Sequence, residues 1–293
     1  MITLAWIVAF GAAGVLALAL VLHAIPRLGP AGRRLSASLC RAPGLDLVVF
    51  AFVHGPQIAG VWAAMHHLSG TWGAWVAAGA GLAAGVVSQA VGLILWMRAH
   101  EACHAAAMKG PRIKSTLNRL LGGGLGGAWR NYLAVWWTAW AVPVFTLIRI
   151  AQVLVYPPLT WLVRLPKYDA SVWVRVSRQK FEGLVGADRI WCLYCDWMTG
   201  VWSLGGEMLR NVESFWCPIR FASPEKCERC TVDFPDVSGG WVDARAGMKD
   251  VVNVLEAKYP GPGGDNSWFG HPARRSDTPA VGVTVEGRRV EGP

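Results

Sequence analysis

Long runs of apolar residues alternate with short polar or basic segments in the first third of the chain. Three of these runs extend over residues 2–24, 47–65 and 72–97. Each run is long enough for a helix that crosses the hydrocarbon core of a bilayer, which takes about 20 apolar residues. The pattern therefore predicts three transmembrane helices, with residues 66–71 as a short external turn between the second and the third.

Basic residues are concentrated directly after the first and the third run. Those after the first run are Arg27, Arg33, Arg34 and Arg41, and those after the third are Arg98, Lys109, Arg112, Lys114, Arg119 and Arg130. Short loops rich in Lys and Arg remain in the cytoplasm, so we expect both segments there and the N-terminus outside. The first run is expected to be a retained anchor, because no basic residue precedes it and no clear cleavage site follows it.

The apolar segment at residues 131–163 is interrupted by Pro143, Arg149 and a pair of prolines. Two full spans would need about 40 residues, which is more than this segment has. Because basic residues resume at Arg164, we favour a re-entrant or partly in-plane helical hairpin that returns the chain to the cytoplasm. The alternative is one long tilted span. It would place the following segment outside, where paired cysteines would form disulfides.

Composition supports the membrane class, since 53% of the 293 residues are hydrophobic and only 16% are charged. The net charge of +9 comes from basic residues between apolar runs. We assign it to membrane topology and expect lipid, not nucleic acid, as the partner. The prediction is an all-α integral protein of the inner or plasma membrane. Residues 1–163 are its transmembrane domain, 164–258 a cytoplasmic cysteine-rich metal-binding domain, and 259–293 a disordered tail rich in Gly, Pro and Arg.

Five of the seven cysteines lie within 40 residues of one another, and four of them form two C-x-x-C pairs. The five are Cys192, Cys195, Cys217, Cys227 and Cys230. Two thiolates from one tight turn can bind one metal ion, which makes a metal site the preferred interpretation. Zinc is the default metal and thiolate-bound iron is its rival. Scattered buried thiols or disulfides are the alternative.

A helix predicted between the two pairs limits which cysteines can share a metal. Apolar residues from Met198 to Phe215 recur at three- and four-residue steps, with Asp196 as a plausible N-cap and Pro218 as the end. An unbroken helix of about 20 residues is about 30 Å long, so it would separate Cys195 from Cys217.

Two partitions of the cysteines remain open. A site made of both C-x-x-C pairs needs a nearly straight return of the chain, or a break in the helix at Gly205-Gly206; it is preferred because it uses both turns. The alternative joins Cys217 to the Cys227 and Cys230 pair and takes its fourth ligand from elsewhere.

A second candidate site, His100-Glu-Ala-Cys-His104, directly follows the third apolar run. Positions i and i+4 share one face of a helix, so both imidazoles could bind one metal ion, with Glu101 beside them as a general base. The alternative is a solvated turn of helix at the membrane exit.

The histidine motif and the residues after it resemble the first histidine box of the membrane fatty-acid desaturase and hydroxylase family. The similarity extends over residues 93–137 and includes Lys109, Arg112 and the run Leu117-Asn-Arg-Leu-Leu-Gly122. That family's second box reads R-x-x-H-x-x-H-H, and the corresponding residues 130–137 keep the arginine and none of the histidines. The chain has seven histidines, fewer than the family's di-iron site uses, and no third box. The resemblance implies the fold and a lipid-facing setting, and not an intact desaturase site.

The same motif is similar to the HExxH motif of membrane zinc metallopeptidases. That resemblance implies His100 and His104 as zinc ligands and Glu101 as the general base, with one more ligand required. Glu207 and Glu213 are candidates for that ligand. Three functions stay open: a desaturase-like or hydroxylase-like protein with a cysteine-bound metal centre that acts on or near lipid, a membrane zinc peptidase, and a non-catalytic scaffold with a structural zinc site.

Overall fold

The fold was obtained as a computed structural model, which describes residues 2–217, 219, 225–230, 245–261, 264–266, 283–285 and 288–290. The helices are α1 Ile2–Ala24, α2 Gly29–Leu39, α3 Gly44–Val49, α4 Gly55–Trp72, α5 Ala74–Cys103, α6 Ala105–Met108, α7 Ile113–Leu120, α8 Gly124–Thr138, α9 Val142–Leu154, α10 Tyr156–Leu162, α11 Ala170–Trp173, α12 Gly186–Trp216 and α13 Met248–Lys258. Short helical turns occupy Ile25–Arg27, Phe50–His54, Ala139–Ala141 and Arg178–Lys180. The strands β1 Val283–Val285 and β2 Arg288–Val290 pair antiparallel.

Within the described residues, four helical stretches are long and apolar enough to cross a membrane: Ile2–Arg27, Gly44–Trp72, Ala74–Cys103 and Gly124–Leu162. The predicted helical class and the three predicted apolar helices are therefore confirmed. The predicted turn at residues 66–71 is wrong, because α4 continues through it and the chain reverses at Gly73. Gly73 has a φ of 79°, a conformation that favours glycine because it lacks a Cβ.

The chain divides into two compact units, the first made of Met1–Thr138, Val174–Trp197 and Gly282–Pro293. In this unit α4 and α5 pack backbone to backbone through small residues. A Cβ on Gly81 would lie 2.5 Å from the carbonyl oxygen of Gly60, so only glycine fits there. Close approach through glycine is the usual packing of membrane helices. Nearby, the Gln57 amide donates to Gln89 Oε1 at 3.4 Å.

The second unit comprises Ala139–Trp173 and Met198–Val281. Here α9 lies close to the second half of α12, since a Cβ on Gly205 would be 3.0 Å from Ile148 Cγ2. The Gln152 amide donates to the carbonyl oxygen of Val201 at 2.7 Å. Further along α12, the buried Glu207 accepts a hydrogen bond of 3.3 Å from the Tyr168 hydroxyl. Polar residues therefore hold this half of α12 in place.

Helix α12 departs from the prediction at its start and in its middle. It begins at Gly186 and runs for 31 residues, so Cys192 and Cys195 lie on a helix and not in a tight turn. Asp196 is not an N-cap; it accepts backbone hydrogen bonds from Ser177 and Arg178, at 2.9 and 3.0 Å. The helix is continuous through Gly205-Gly206.

The continuous helix has a consequence for the preferred cysteine partition. A site that joins both C-x-x-C pairs would now require the nearly straight return of the chain. Most of that return, residues 218 and 220–224, lies outside the described residues.

Three predictions concern the rest of the chain. Residues 124–162 are helical apart from Val155, and the choice between a hairpin and a single tilted span stays a prediction. The apolar spacing of residues 241–257 also predicts an amphipathic helix. The helix α13 covers Met248–Lys258, residues 245–247 are not helical, and residues 241–244 lie outside the described part. In the tail expected to be disordered, β1 and β2 are described and most of the remainder is not.

Candidate functional site

The end of α5 holds the start of α12. His100 Nδ1 accepts a hydrogen bond of 3.2 Å from the backbone N–H of Gly186. Glu101 Oε1 accepts one of 3.3 Å from the N–H of Ala187. The first N–H groups of a helix have no partner within it, and a negative charge is favourable there because of the helix dipole. Two of the three residues singled out in the HExxH motif therefore cap α12.

Gly186 is required for this contact in two ways. Its φ of 56° lies in the left-handed region. A Cβ at this position would also overlap the Glu101 side chain. Any larger residue would push the carboxylate away from the end of α12.

The capping bonds restrict what the motif can do in this arrangement. A neutral imidazole whose Nδ1 accepts a hydrogen bond carries its proton on Nε2, so neither nitrogen of His100 offers a free lone pair. Glu101 is mostly buried and lies 3.7 Å from Arg98. His104 is exposed, and its ring centroid is 4.4 Å from that of His100. The metal-binding and catalytic roles of these three residues stay predictions.

Aromatic contacts extend from His100 to the end of α1. The ring of Trp96 stacks on His23 at 5.7 Å, and its Nε1 donates to His23 Nε2 at 3.1 Å. His100 lies 4.9 Å from Trp96 and 5.4 Å from His23, measured between ring centroids. These contacts fix the His100 ring, which in turn orients its capping nitrogen.

A buried ion pair attaches the basic segment after α5 to α12. Arg112 Nη2 lies 2.8 Å from Asp188 Oδ2, and their side chains are 10% and 6% exposed. Arg112 also donates to the carbonyl oxygens of Gly183 and Val185, at 3.3 and 2.8 Å. A buried charge needs such partners, because its desolvation is costly. Arg112 therefore belongs to the framework and is not available to a ligand.

These contacts enclose a cavity of about 580 Å³ between α5, α7, α8 and the first part of α12. Its wall is mostly apolar and includes Met97, Leu117, Val135 and Trp191. This volume falls within the range of ~300–1,000 Å³ that is typical of small-molecule sites.

The charged side chains of the cavity that are most exposed to solvent are basic. Glu101 and Asp188 line it, but each is already engaged. Glu101 contacts the start of α12 and lies 3.7 Å from Arg98, and Asp188 pairs with Arg112. Arg98 and Lys114 also line it; the Arg98 side chain is 74% exposed and Lys114 is exposed as well. Among the described residues Lys114 has no ion-pair partner. The cavity thus combines an apolar interior with cationic groups that reach solvent.

Cys192 and Cys195 share the wall of this cavity, one helical turn apart on α12. Burial raises the pKa of the Cys192 thiol, and the nearby Asp196 carboxylate raises it further. Arg178, whose guanidinium pairs with Asp196, also lines the cavity. A raised pKa keeps Cys192 protonated at neutral pH, so metal binding there would have to displace a proton.

The second pair, Cys227 and Cys230, lies in a turn and forms a disulfide. The backbone N–H of Cys230 also donates to Cys227 Sγ at 3.1 Å. The turn could contribute two thiolates to a metal site only after this disulfide is reduced. Among the residues that the structure describes, no three His, Cys, Asp or Glu side chains are grouped as metal ligands. Zinc or iron binding, and any share of Cys217 in it, stays a prediction.

Sequence reasoning found the cysteines of this cavity and missed the cavity itself. One available signal was the spacing of Ile113 and Leu117, which places two apolar residues on one face of α7.

The fold and the cavity define a class: a helical protein whose described part has four stretches long and apolar enough to span a membrane, with an apolar cavity where one of them ends and another begins. Comparison with protein-family models, curated proteins and solved structures finds no significant match.

Proposed function

We propose that this chain is an integral membrane protein that binds an anionic amphiphile with an acyl chain in the cavity between α5, α7, α8 and α12. The observation that carries the proposal is the cavity itself, with its apolar wall and exposed cationic groups. The acyl chain would fill the apolar interior, and Arg98 and Lys114 would face the anionic group.

The position of the cavity in the chain favours lipid as the source of that amphiphile. The cavity lies where Ala74–Cys103 ends and Gly124–Leu162 begins. Between them, α7 has exposed apolar residues such as Ile113 and Leu120, as a helix at a membrane surface does. A lipid chain could enter from the bilayer without crossing water.

The distribution of Lys and Arg gives the orientation. We place the N-terminus outside and both basic segments, with the cavity, on the cytoplasmic side of an inner or plasma membrane. Anionic lipids of the cytoplasmic leaflet would then meet the cationic groups. Single-cysteine labelling at His66 and at Ser177 tests the topology, and labelling of both from the same side would contradict it.

A structural metal site is a second candidate: once the Cys227–Cys230 disulfide is reduced by a cellular thiol, their turn would place two thiols side by side. Such a site would stabilise the cysteine-rich segment, as in the scaffold hypothesis, and is compatible with lipid binding. The peptidase and desaturase-like hypotheses gain no support of this kind, because His100 and Glu101 are occupied in capping α12. Metal analysis of the purified protein tests the structural metal site and the two enzyme hypotheses alike.

Filling the cavity tests lipid binding most directly. Leu117→Trp places an indole in the cavity, while Leu120→Trp, on the same helix, places one at a position that is 73% exposed and outside the cavity. We expect the first variant to lose the bound lipid and its affinity for a fluorescent fatty acid, and the second to keep both. Native mass spectrometry and fluorescence titration measure these effects. Equal binding by the two variants, or no bound amphiphile in the wild type, would contradict the proposal.

A further inference from the structure

Asn131, on α8, places an amide side chain in the mostly apolar wall of the cavity. The residue is only 9% exposed. Its Nδ2 donates one hydrogen bond of 2.8 Å to Asn118 Oδ1, on α7. A side-chain amide has two N–H donors and an oxygen that accepts. Within the described part of the chain, the second N–H and the Oδ1 of Asn131 have no hydrogen-bond partner.

A buried amide group without partners is costly, because it loses the hydrogen bonds that water would make. Nearly all buried polar groups in proteins therefore have a partner. Asn131 lines the cavity and Asn118 does not. The hydrogen-bonding capacity that Asn118 leaves unused is thus available to a molecule inside the cavity. Such a molecule should offer an acceptor and a donor side by side.

The place of Asn131 relative to the exposed Lys114 limits how far this polar part of the ligand lies from its anionic group. Asn118, the partner of Asn131, follows Lys114 on α7 by one helical turn, or ~6 Å along the axis. In a glycerophospholipid, the ester that carries the acyl chain is only a few bonds from the phosphate. A phosphate at Lys114 therefore brings the ester close to the Asn131 amide.

The size of the cavity indicates one acyl chain. A water molecule takes up ~30 Å³ in the liquid, and a methylene group is of similar size. The cavity of about 580 Å³ therefore holds about 19 groups of this size. This is enough for one long acyl chain with its ester, and too little for two chains.

We propose that the cavity binds a monoacyl glycerophospholipid, and that Asn131 recognises the ester and the hydroxyl group beside it. The second N–H of Asn131 donates to the ester carbonyl, and Oδ1 accepts from the free hydroxyl of the glycerol. A free fatty acid has no such hydroxyl, and a diacyl lipid has neither this hydroxyl nor space for its second chain. The inference rests on the proposed lipid-binding function and adds the class of lipid.

The test measures how well lipids displace a fluorescent fatty acid from the purified full chain in detergent. The probes are oleoyl lysophosphatidylglycerol, its alkyl ether analogue, which lacks the ester carbonyl, and dioleoyl phosphatidylglycerol. Asn131→Leu replaces the amide by an apolar group of similar shape. The matched control is Asn118→Leu, which removes the same hydrogen bond between α7 and α8 but leaves the Asn131 amide in the cavity wall.

We expect the wild type to bind the ester about three- to tenfold more tightly than the ether, which is the effect of one hydrogen bond. Asn131→Leu should lose this preference, and Asn118→Leu should keep it. Loss of the preference in both variants would mean that Asn131 serves only to pair with Asn118, and would overturn the inference.

The wild type alone gives two further decisive results, which need no variant to fold. Equal binding of ester and ether, or displacement by the diacyl lipid as effective as by the monoacyl lipid, would overturn the inference and leave lipid binding in the cavity intact. If the wild type does not bind the fluorescent fatty acid at all, the proposed function fails, and the inference fails with it.

Discussion

Arg112 and Asp188 form a buried ion pair that connects the start of α7 to the first turn of α12, 2.8 Å between Nη2 and Oδ2. Removal of one partner would leave an uncompensated charge. We expect Arg112→Ala to lower the free energy of unfolding by about 3–5 kcal/mol, the usual cost of breaking a buried pair. Thermal or denaturant unfolding in detergent measures this. Arg119→Ala, an exposed cation of the same segment, is the control and should have little effect. Similar stability of the two variants would contradict the importance of the pair.

The contact between Gly60 and Gly81 predicts a matched pair of variants on α5. Gly81→Ala should lower the free energy of unfolding by about 1–3 kcal/mol, because its Cβ overlaps the Gly60 carbonyl and α4 must shift. At Gly79 a Cβ meets nothing within 4 Å, so Gly79→Ala should be neutral or slightly stabilising. Denaturant unfolding curves of the two variants measure the difference in their free energies of unfolding. Equal effects would mean that α4 and α5 are packed less closely than described.

Glu101 caps α12 and His104 does not, although the HExxH motif contains both residues. Glu101→Ala removes an acceptor from the helix start and should cost about 0.5–2 kcal/mol, as the loss of a cap does. His104→Ala should leave stability unchanged, because its side chain is exposed. Hydrogen exchange followed by mass spectrometry should show faster exchange near Gly186 in the first variant alone. Faster exchange in both, or in neither, would refute the capping role.

The two cysteines of the cavity should differ in reactivity. Burial raises the pKa of Cys192, so at pH 8 it has less of the reactive thiolate than an ordinary cysteine, whereas Cys195 is exposed. We expect iodoacetamide to modify Cys195 first, and the modification of Cys192 to need a higher pH. Peptide mass spectrometry at several pH values measures both rates. Faster reaction at Cys192 would contradict the described environment.

Metal analysis separates the two cysteine partitions that the sequence leaves open. If both C-x-x-C pairs bind one zinc or iron, Cys192→Ser should remove the metal and Cys217→Ser should not. The reverse result would assign Cys217 to the site with the Cys227 and Cys230 turn. Elemental analysis of the purified variants gives the answer. If the wild type contains no stoichiometric metal, neither partition applies, and the cysteines are ordinary thiols and disulfides.

The lengths of the apolar runs predicted the first three membrane-type helices, since run length and composition alone determine whether a helix can cross a bilayer. The start of α12 was predicted wrongly. Asp196 has the chemistry of an N-cap, yet it accepts hydrogen bonds from Ser177 and Arg178 instead. The true start, Gly186, receives its acceptors from α5, and a contact between residues 86 positions apart leaves no local pattern.

The same limit applies to the candidate site. His100, Glu101 and His104 match a motif of metal chemistry, but the motif describes only spacing on one helix. The helix that packs against these side chains determines which hydrogen bonds they make. The cavity likewise depends on the relative placement of four chain segments, so only its separate walls could be recognised from the sequence.

The acceptors that begin α12 have a consequence for how the protein is made. Synthesis proceeds from the amino end, so His100 and Glu101 leave the ribosome before the backbone donors that they receive. The third apolar helix can already be in the bilayer when α12 emerges. A truncated product that starts after α8 would lack these acceptors, so the first N–H groups of α12 would have no hydrogen-bond partner on α5. Recombinant fragments intended for study of the cysteine-rich segment should therefore retain α5.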